Sequence, residues 1–174
     1  MTRFRVLFVC IGNVCRSPLG ERLMQLRLPA EGFEVASAGV NALEGAPMSP
    51  ESAAELAARG GRADGFVARR LTEQMLRDAD LVLTATLEIR SRVLSEVPSA
   101  LRRTFTVREF AALLEEVDDP DLNGLVAAAA AARSRARLED YDVPDPWQRG
   151  LELHARAATL MDEAVSRIAK GLSR

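Results

Sequence analysis

Histidine, lysine, tyrosine and tryptophan each occur once in the 174 residues, as His154, Lys170, Tyr141 and Trp147, and cysteine only twice, as Cys10 and Cys15. One histidine leaves no material for a His-rich metal centre, and two neighbouring cysteines are too few for the disulfide framework of a small secreted domain. The chain is therefore expected to work without metal or other cofactor. Positive charge is not in excess: 23 basic residues stand against 25 acidic ones, a formal net charge of -2. That balance denies the protein the cationic field on which sequence-independent nucleic-acid binding draws, so no nucleic-acid partner is expected. Long apolar runs are missing as well. The longest, Leu125 to Ala132, is mostly alanine and falls far short of the ~20 residues that span a bilayer. The basic start, Met1 to Arg5, precedes an apolar run too short for a secretory signal, and no small-residue cleavage site follows. The reading is a cytoplasmic protein with no membrane insertion.

What is present is a hydrophobic fraction of 48%, enough for one core over residues 1–174. Apolar runs of strand length alternate with segments of helical period, the order that βαβ units produce. Arg3 to Val9 reads as a central strand buried on both faces. Pro18 suits the first turn of a helix, and Leu19, Leu23 and Leu26 then share one face up to Pro29. Phe33 to Ala38 reads as a second strand, and Ser49 with Pro50 opens a helix that stops at Gly60 and Gly61. Thr72 caps a short helix to Asp78, Leu81 to Ala85 forms a third strand, Leu87 to Val97 a helix, and Thr104 to Val107 a fourth strand. From Arg108 to Glu139 the chain is Ala/Arg-rich and helical, broken at Asp118 to Asp121. Its Ala128 to Arg137 portion, with a weak apolar face, reads as an appended solvated helix. Pro144 and Pro146 keep Asp140 to Pro146 out of helix. A last helix from Leu151 to about Ala169 closes over the sheet with Leu153, Ala157, Leu160, Met161, Ala164 and Ile168 on one stripe; His154 falls at the edge of that stripe and takes no role.

The chemistry concentrates between the first strand and the first helix, where the chain reads Cys10-Ile11-Gly12-Asn13-Val14-Cys15-Arg16-Ser17-Pro18. A loop of this length at a helix N-terminus can turn successive backbone N–H groups inward and so cradle a tetrahedral dianion. Gly12 and Asn13 tolerate the left-handed backbone that a tight cradle demands, and the planar fork of Arg16 matches two oxyanion oxygens. Cys10 ends the strand at the floor of the cradle, where the helix dipole, Arg16 and the Ser17 hydroxyl all favour the thiolate form. A cradled thiolate is a nucleophile for phosphorus. Cys15 reads either as buried filler or as a thiol able to pair with Cys10 under oxidation.

The run Val9 to Pro18 resembles the signature of the low-molecular-weight protein tyrosine phosphatase family. The resemblance extends to Ser37-Ala38-Gly39, to Ala68-Arg69-Arg70-Leu71-Thr72 and to Asp145-Pro146, and so covers nearly the whole chain. It implies a single-domain α/β fold: a three-layer sandwich in which a four-stranded parallel sheet, order 2-1-3-4, carries helices on both faces, with 108–139 as a helical insertion. It implies a phosphatase without cofactor, acting through a phosphocysteine intermediate on phosphotyrosine in proteins or on small aryl phosphates; the oligomeric state stays open, with a monomer favoured. Position by position, Cys10 is the implied nucleophile, Arg16 the phosphate clamp, Ser17 the hydroxyl that steadies the thiolate, Asn13 the loop-shaping residue and Ser37 its support. The phosphate-binding loop is thus Ile11, Gly12, Asn13, Val14, Cys15, Arg16 and Ser17. By spacing alone Asp140, Asp142 and Asp145 are equivalent candidates for the acid; the resemblance selects Asp145.

Two departures stand out. Phe66 occupies the position where the family usually has a histidine that joins the network of Asn13 and Ser37, so either those two pair directly or the loop is less rigid. Trp147 replaces the usual tyrosine, and Leu43 and Asn41 stand where a rim aromatic is common, so Trp147 and Leu43 form the expected substrate rim; as the only tryptophan, Trp147 has core packing as its other reading. The alternatives to the phosphatase are an arsenate reductase, which in this chain would need an external thiol, and a weakly active phosphate-binding homologue.

Overall fold

β-Branched and aromatic side chains fill strand β1 (Phe4–Cys10), where all but Arg5 are buried, as a strand covered on both faces requires. The computed structural model describes residues 3–174. Strands β2 (Phe33–Gly39), β3 (Leu81–Thr84) and β4 (Thr104–Thr106) complete one sheet in the order β2-β1-β3-β4, with every pairing parallel. Helices α1 (Arg16–Arg27), α2 (Pro50–Ala57), α5 (Val107–Leu113) and α7 (Leu151–Leu172) gather on one face around Phe4, Val6 and Phe8. Helices α3 (Glu73–Asp78) and α4 (Leu87–Glu96) cover the other face, over Leu7 and Val9. The alternation of β1 side chains between the two sets is the period-2 rule of a strand.

Capping explains most of the helix starts. Ser49, Thr72, Thr86 and Thr106 each accept a hydrogen bond from the backbone N–H three residues on, satisfying a donor the helix leaves unpaired. Helix α1 begins at Arg16, ahead of Pro18, and buries Leu19, Leu23 and Met24. Leu26, expected on that face, is 53% exposed. The Ala/Arg-rich segment also differs from expectation: α6 (Leu122–Ala131) ends early, a 3₁₀ turn follows at Arg133–Arg135, and Leu125, Val126 and Ala129 are buried. It is therefore a packed helix. Small residues let it approach the 3₁₀ turn at Pro98–Arg103, and Arg133 fixes its end by donating to the Thr104 carbonyl and lying over the Phe105 ring. On α7 the buried stripe is rotated to include His154, Ala158 and Val165, while Leu153 and Leu160 are only part-buried.

In a parallel sheet, ligands bind outside the carboxyl ends of the strands where the chain order reverses. Here that point lies between β1 and β3, and the loop after β1 occupies it. The segment 140–147 is drawn to the same place. Val143 N–H donates to the Ala85 carbonyl just after β3 at 2.8 Å, and the Asp142 carboxylate accepts from the Leu87 N–H at 2.8 Å. Among the described residues, no helix is long and apolar enough to cross a membrane.

Candidate active site

The loop from Cys10 to Arg16 is held open from outside. Its carbonyls at Cys10, Ile11, Gly12 and Val14 accept from the N–H groups of Val40, Asn41, Leu43 and Ser49, at 2.8 to 3.0 Å. With these oxygens bonded outward, the loop curls at the N-terminus of α1, a geometry that can offer backbone N–H groups and the positive end of the helix dipole to a dianion. Asn13 carries the left-handed backbone this curl needs, with φ 55°. Gly39 is required beneath it, since a Cβ there would stand 2.4 Å from the Ile11 carbonyl oxygen.

Side chains continue the frame. The Arg69 N–H donates to Asn13 Oδ1 at 2.9 Å, which fixes the amide orientation and leaves Asn13 Nδ2 to donate to both Ser17 Oγ and Ser37 Oγ, each at 2.9 Å. Asn13 and Ser37 thus pair directly, without a histidine; Phe66 is buried and fills space, with the Arg22 guanidinium 5.8 Å from its ring centroid. Ser17 Oγ lies 2.8 Å from Cys10 Sγ. Ser17 Oγ accepts from Asn13, and its proton can go to the sulfur, a bond that stabilises a thiolate, or to the Ala38 carbonyl at 3.5 Å.

Arg16 is 3% exposed. It donates through Nη1 to the Val143 carbonyl at 3.0 Å, and its Nη2 lies 3.5 Å from Asp145 Oδ2. Its Nε is buried without a partner. A buried guanidinium donor left unsatisfied is costly. Asp145 is turned toward the cleft with its Oδ1 accepting from the Trp147 N–H at 3.2 Å. Asp142, by contrast, is spent on Leu87, and Asp140 on the Asp142 N–H at 2.9 Å. The three aspartates that spacing leaves equivalent are therefore distinguished by tertiary contacts.

Cys10, Arg16 and Asp145 line one cleft of about 180 Å³ together with Asn41, Leu43 and Trp147. Ile11, Leu43 and Trp147 are 42%, 44% and 42% exposed and form an apolar rim around a charged floor, the shape that suits a flat ring bearing a dianion. Cys15 is buried and donates to Ser49 Oγ at 3.4 Å, and burial pushes its thiol above the usual range. Both cysteines are free. Two participants escape sequence reasoning: the Val143 carbonyl, which has no side-chain signature, and Glu21, whose carboxylate accepts from Ser37 Oγ at 2.5 Å. The signal for Glu21 is its place one helical turn after Ser17, on the same face of α1.

A family model described as low molecular weight phosphotyrosine protein phosphatase matches residues 5–130. The chain is 30% identical over 169 residues to the low molecular weight protein-tyrosine-phosphatase Etp of Escherichia coli (strain K12), covering 97% of this chain and 95% of that protein. A solved low molecular weight protein tyrosine phosphatase from T. tengcongensis superposes with a TM-score of 0.74 at 30% identity, covering 96% of this chain and 98% of that one. The YwlE arginine phosphatase from Geobacillus stearothermophilus superposes with a TM-score of 0.76 at 28% identity, covering 98% and 93%.

Proposed function

The chain belongs to the low molecular weight phosphotyrosine protein phosphatase family, and from that premise we propose that it hydrolyses aryl phosphate monoesters, phosphotyrosine in proteins above all, through a cysteinyl-phosphate intermediate. The observation that carries this reading is the convergence of Cys10, Arg16 and Asp145 on one cleft formed over the loop after β1. The substrate phosphoryl group sits in the loop, its oxygens bonded by loop N–H groups and by the Arg16 Nε. Cys10 sulfur attacks phosphorus in line, an S–P bond forms, and the phosphorus–phenolic oxygen bond breaks. Asp145 gives its proton to the departing oxygen. Water then attacks the phosphocysteine, Asp145 takes the proton back, and the S–P bond breaks to release inorganic phosphate and the thiolate. The loop donors and Arg16 meet the charge that develops on the equatorial oxygens, which is where preorganised electrostatics contribute most.

The exposed apolar rim of Ile11, Leu43 and Trp147 favours an aryl leaving group over a guanidino one. Phosphoarginine, suggested by the arginine phosphatase likeness, belongs in the same assay. Arsenate reduction is not favoured, since the relatives named above are phosphatases. The test measures hydrolysis of a phosphotyrosine peptide, phosphoarginine and arsenate turnover side by side, with Cys10→Ser as control. The expected result is phosphotyrosine hydrolysis that Cys10→Ser abolishes while phosphate binding persists. Full activity of Cys10→Ser, or turnover of phosphoarginine alone, overturns the reading.

A further inference from the structure

Glu21 is a buried carboxylate that the proposed chemistry does not use. It lies on α1 with 9% exposure, and its surroundings are specific. Ser37 Oγ on β2 donates to its Oε2 at 2.5 Å. Gln25 Nε2 donates to its Oε1 at 3.4 Å, and Arg22 Nε stands 3.7 Å from the same oxygen. From the segment before α3, Arg69 donates through Nε to the Ser37 carbonyl at 2.9 Å and adds a positive charge. Phe66, the other neighbour of Arg22, offers no hydrogen bond.

Counting protons along the chain of bonds gives Glu21 a task. A serine hydroxyl has one proton to donate. Ser37 gives its proton to Glu21, so its oxygen faces Asn13 purely as an acceptor, and Asn13 Nδ2 donates into it. That bond, with the one to Ser17, keeps Asn13 in its left-handed conformation at the apex of the loop. That geometry needs an acceptor at the end of the chain, and the Glu21 carboxylate oxygen holds Ser37 where an apolar group would let it rotate.

We infer that Glu21 is a positioning residue for the phosphate loop: it anchors the Ser37 hydroxyl, which holds Asn13, which presents the loop's N–H groups to the oxyanion. The role rests on the phosphatase reading for its meaning in turnover, but not for its effect on oxyanion binding. The experiment measures inorganic vanadate affinity by calorimetry, alongside kcat and KM on an aryl phosphate, for the full chain and for Glu21→Leu, Glu21→Gln, Ser37→Ala and Glu21→Leu/Ser37→Ala. Glu21→Leu, which cannot accept, is expected to weaken vanadate binding ten-fold or more. Glu21→Gln, a neutral acceptor, should restore affinity to within about three-fold of the parent. The double variant should bind no worse than Ser37→Ala, because the two residues act through one bond. If Glu21→Leu does not fold, Glu21→Asp, which draws the carboxylate one methylene away from Ser37, is expected to show the same loss. Parental affinity in Glu21→Leu or Glu21→Asp overturns the inference, as do equal losses in Gln and Leu or multiplying losses in the double variant. A parent that binds vanadate yet hydrolyses no aryl phosphate sinks the phosphatase reading, while the variants still decide the role of Glu21.

Discussion

At the scale of single residues the division of labour among three aspartates decides the chemistry. Asp145 is the one whose carboxylate lines the cleft and faces Arg16, at 3.5 Å, whereas Asp142 and Asp140 bond the N–H groups of Leu87 and Asp142. Asp145→Asn is therefore expected to slow hydrolysis of a phenyl phosphate by ~10²–10⁴-fold, the usual worth of general acid–base catalysis. A series of leaving groups checks it, since the deficit should shrink as the leaving phenol becomes more acidic; a larger loss in Asp142→Asn would reassign the acid. Glu21 supplies a second expectation. Its folded pKa is raised by burial, against the lowering effect of the Ser37 bond, so its neutral form favours the fold. That stability is fully present below the unfolded pKa and is lost as pH rises through the folded value. Glu21→Gln should therefore gain melting temperature relative to the parent as pH is raised from 4 to 7, and a constant difference across that range would contradict the burial argument. Cys10, Arg16 and Ser17 stand out as candidates in the sequence because one loop holds them within eight residues, and the fold sets Cys10 Sγ 2.8 Å from Ser17 Oγ. Glu21 and the Val143 carbonyl do not, because only the tertiary fold brings residues 21 and 37, or 16 and 143, within bonding distance.

At the scale of elements, the loop works because its neighbours press on it. β2 ends directly beneath the apex of the loop, where a Cβ on Gly39 would meet the Ile11 carbonyl at 2.4 Å and the Asn13 nitrogen at 3.0 Å. These are backbone atoms, which cannot yield as a flexible side chain does. Gly39→Ala should accordingly push the loop off its geometry and lower oxyanion affinity and turnover together, by ten-fold or more in calorimetric titration with inorganic phosphate; unchanged affinity would mean the loop is softer than its bonds suggest. The same tight contacts explain what periodicity reveals and hides. Strands and capped helices follow from apolar spacing and from Ser49 and Thr72, whose capping bonds form within a few residues, whereas the strand expected to Val107 ends at Thr106, which caps α5. The burial of α6 depends instead on a distant surface: alanines carry too little apolar contrast to mark a face, and their contact with the turn at Pro98–Arg103 is a property of assembly. His154 was hidden for a like reason, since its place inward, with Nδ1 3.3 Å from Ser52 Oγ, depends on where α2 sits against α7.

At the scale of the whole molecule, the proposed oxyanion site joins segments far apart in the sequence. Arg16, just past the first strand, is bonded to the Val143 carbonyl and faces Asp145, and residue 143 is itself tied to the end of β3. A dianion in the loop engages α1, the loop on β1 and, through Arg16, the segment that leads into α7. Binding to the folded state alone must then stabilise the entire fold, by about 2.7 kcal/mol at a ligand concentration 100 times Kd. For a domain of this size each kcal/mol moves the melting temperature by roughly 2–4 °C, so phosphate at that excess should raise it by about 5–10 °C. The measurement is best made on Cys10→Ser, where no covalent intermediate forms, with chloride at matched ionic strength as control. Arg16→Ala should melt lower without ligand, having lost its bond to Val143, and should show no phosphate shift. A shift of equal size in Arg16→Ala would place the anion elsewhere on the surface, and no shift in Cys10→Ser would mean that the loop requires sulfur to hold a dianion, which its backbone donors and the unpaired Arg16 Nε argue against.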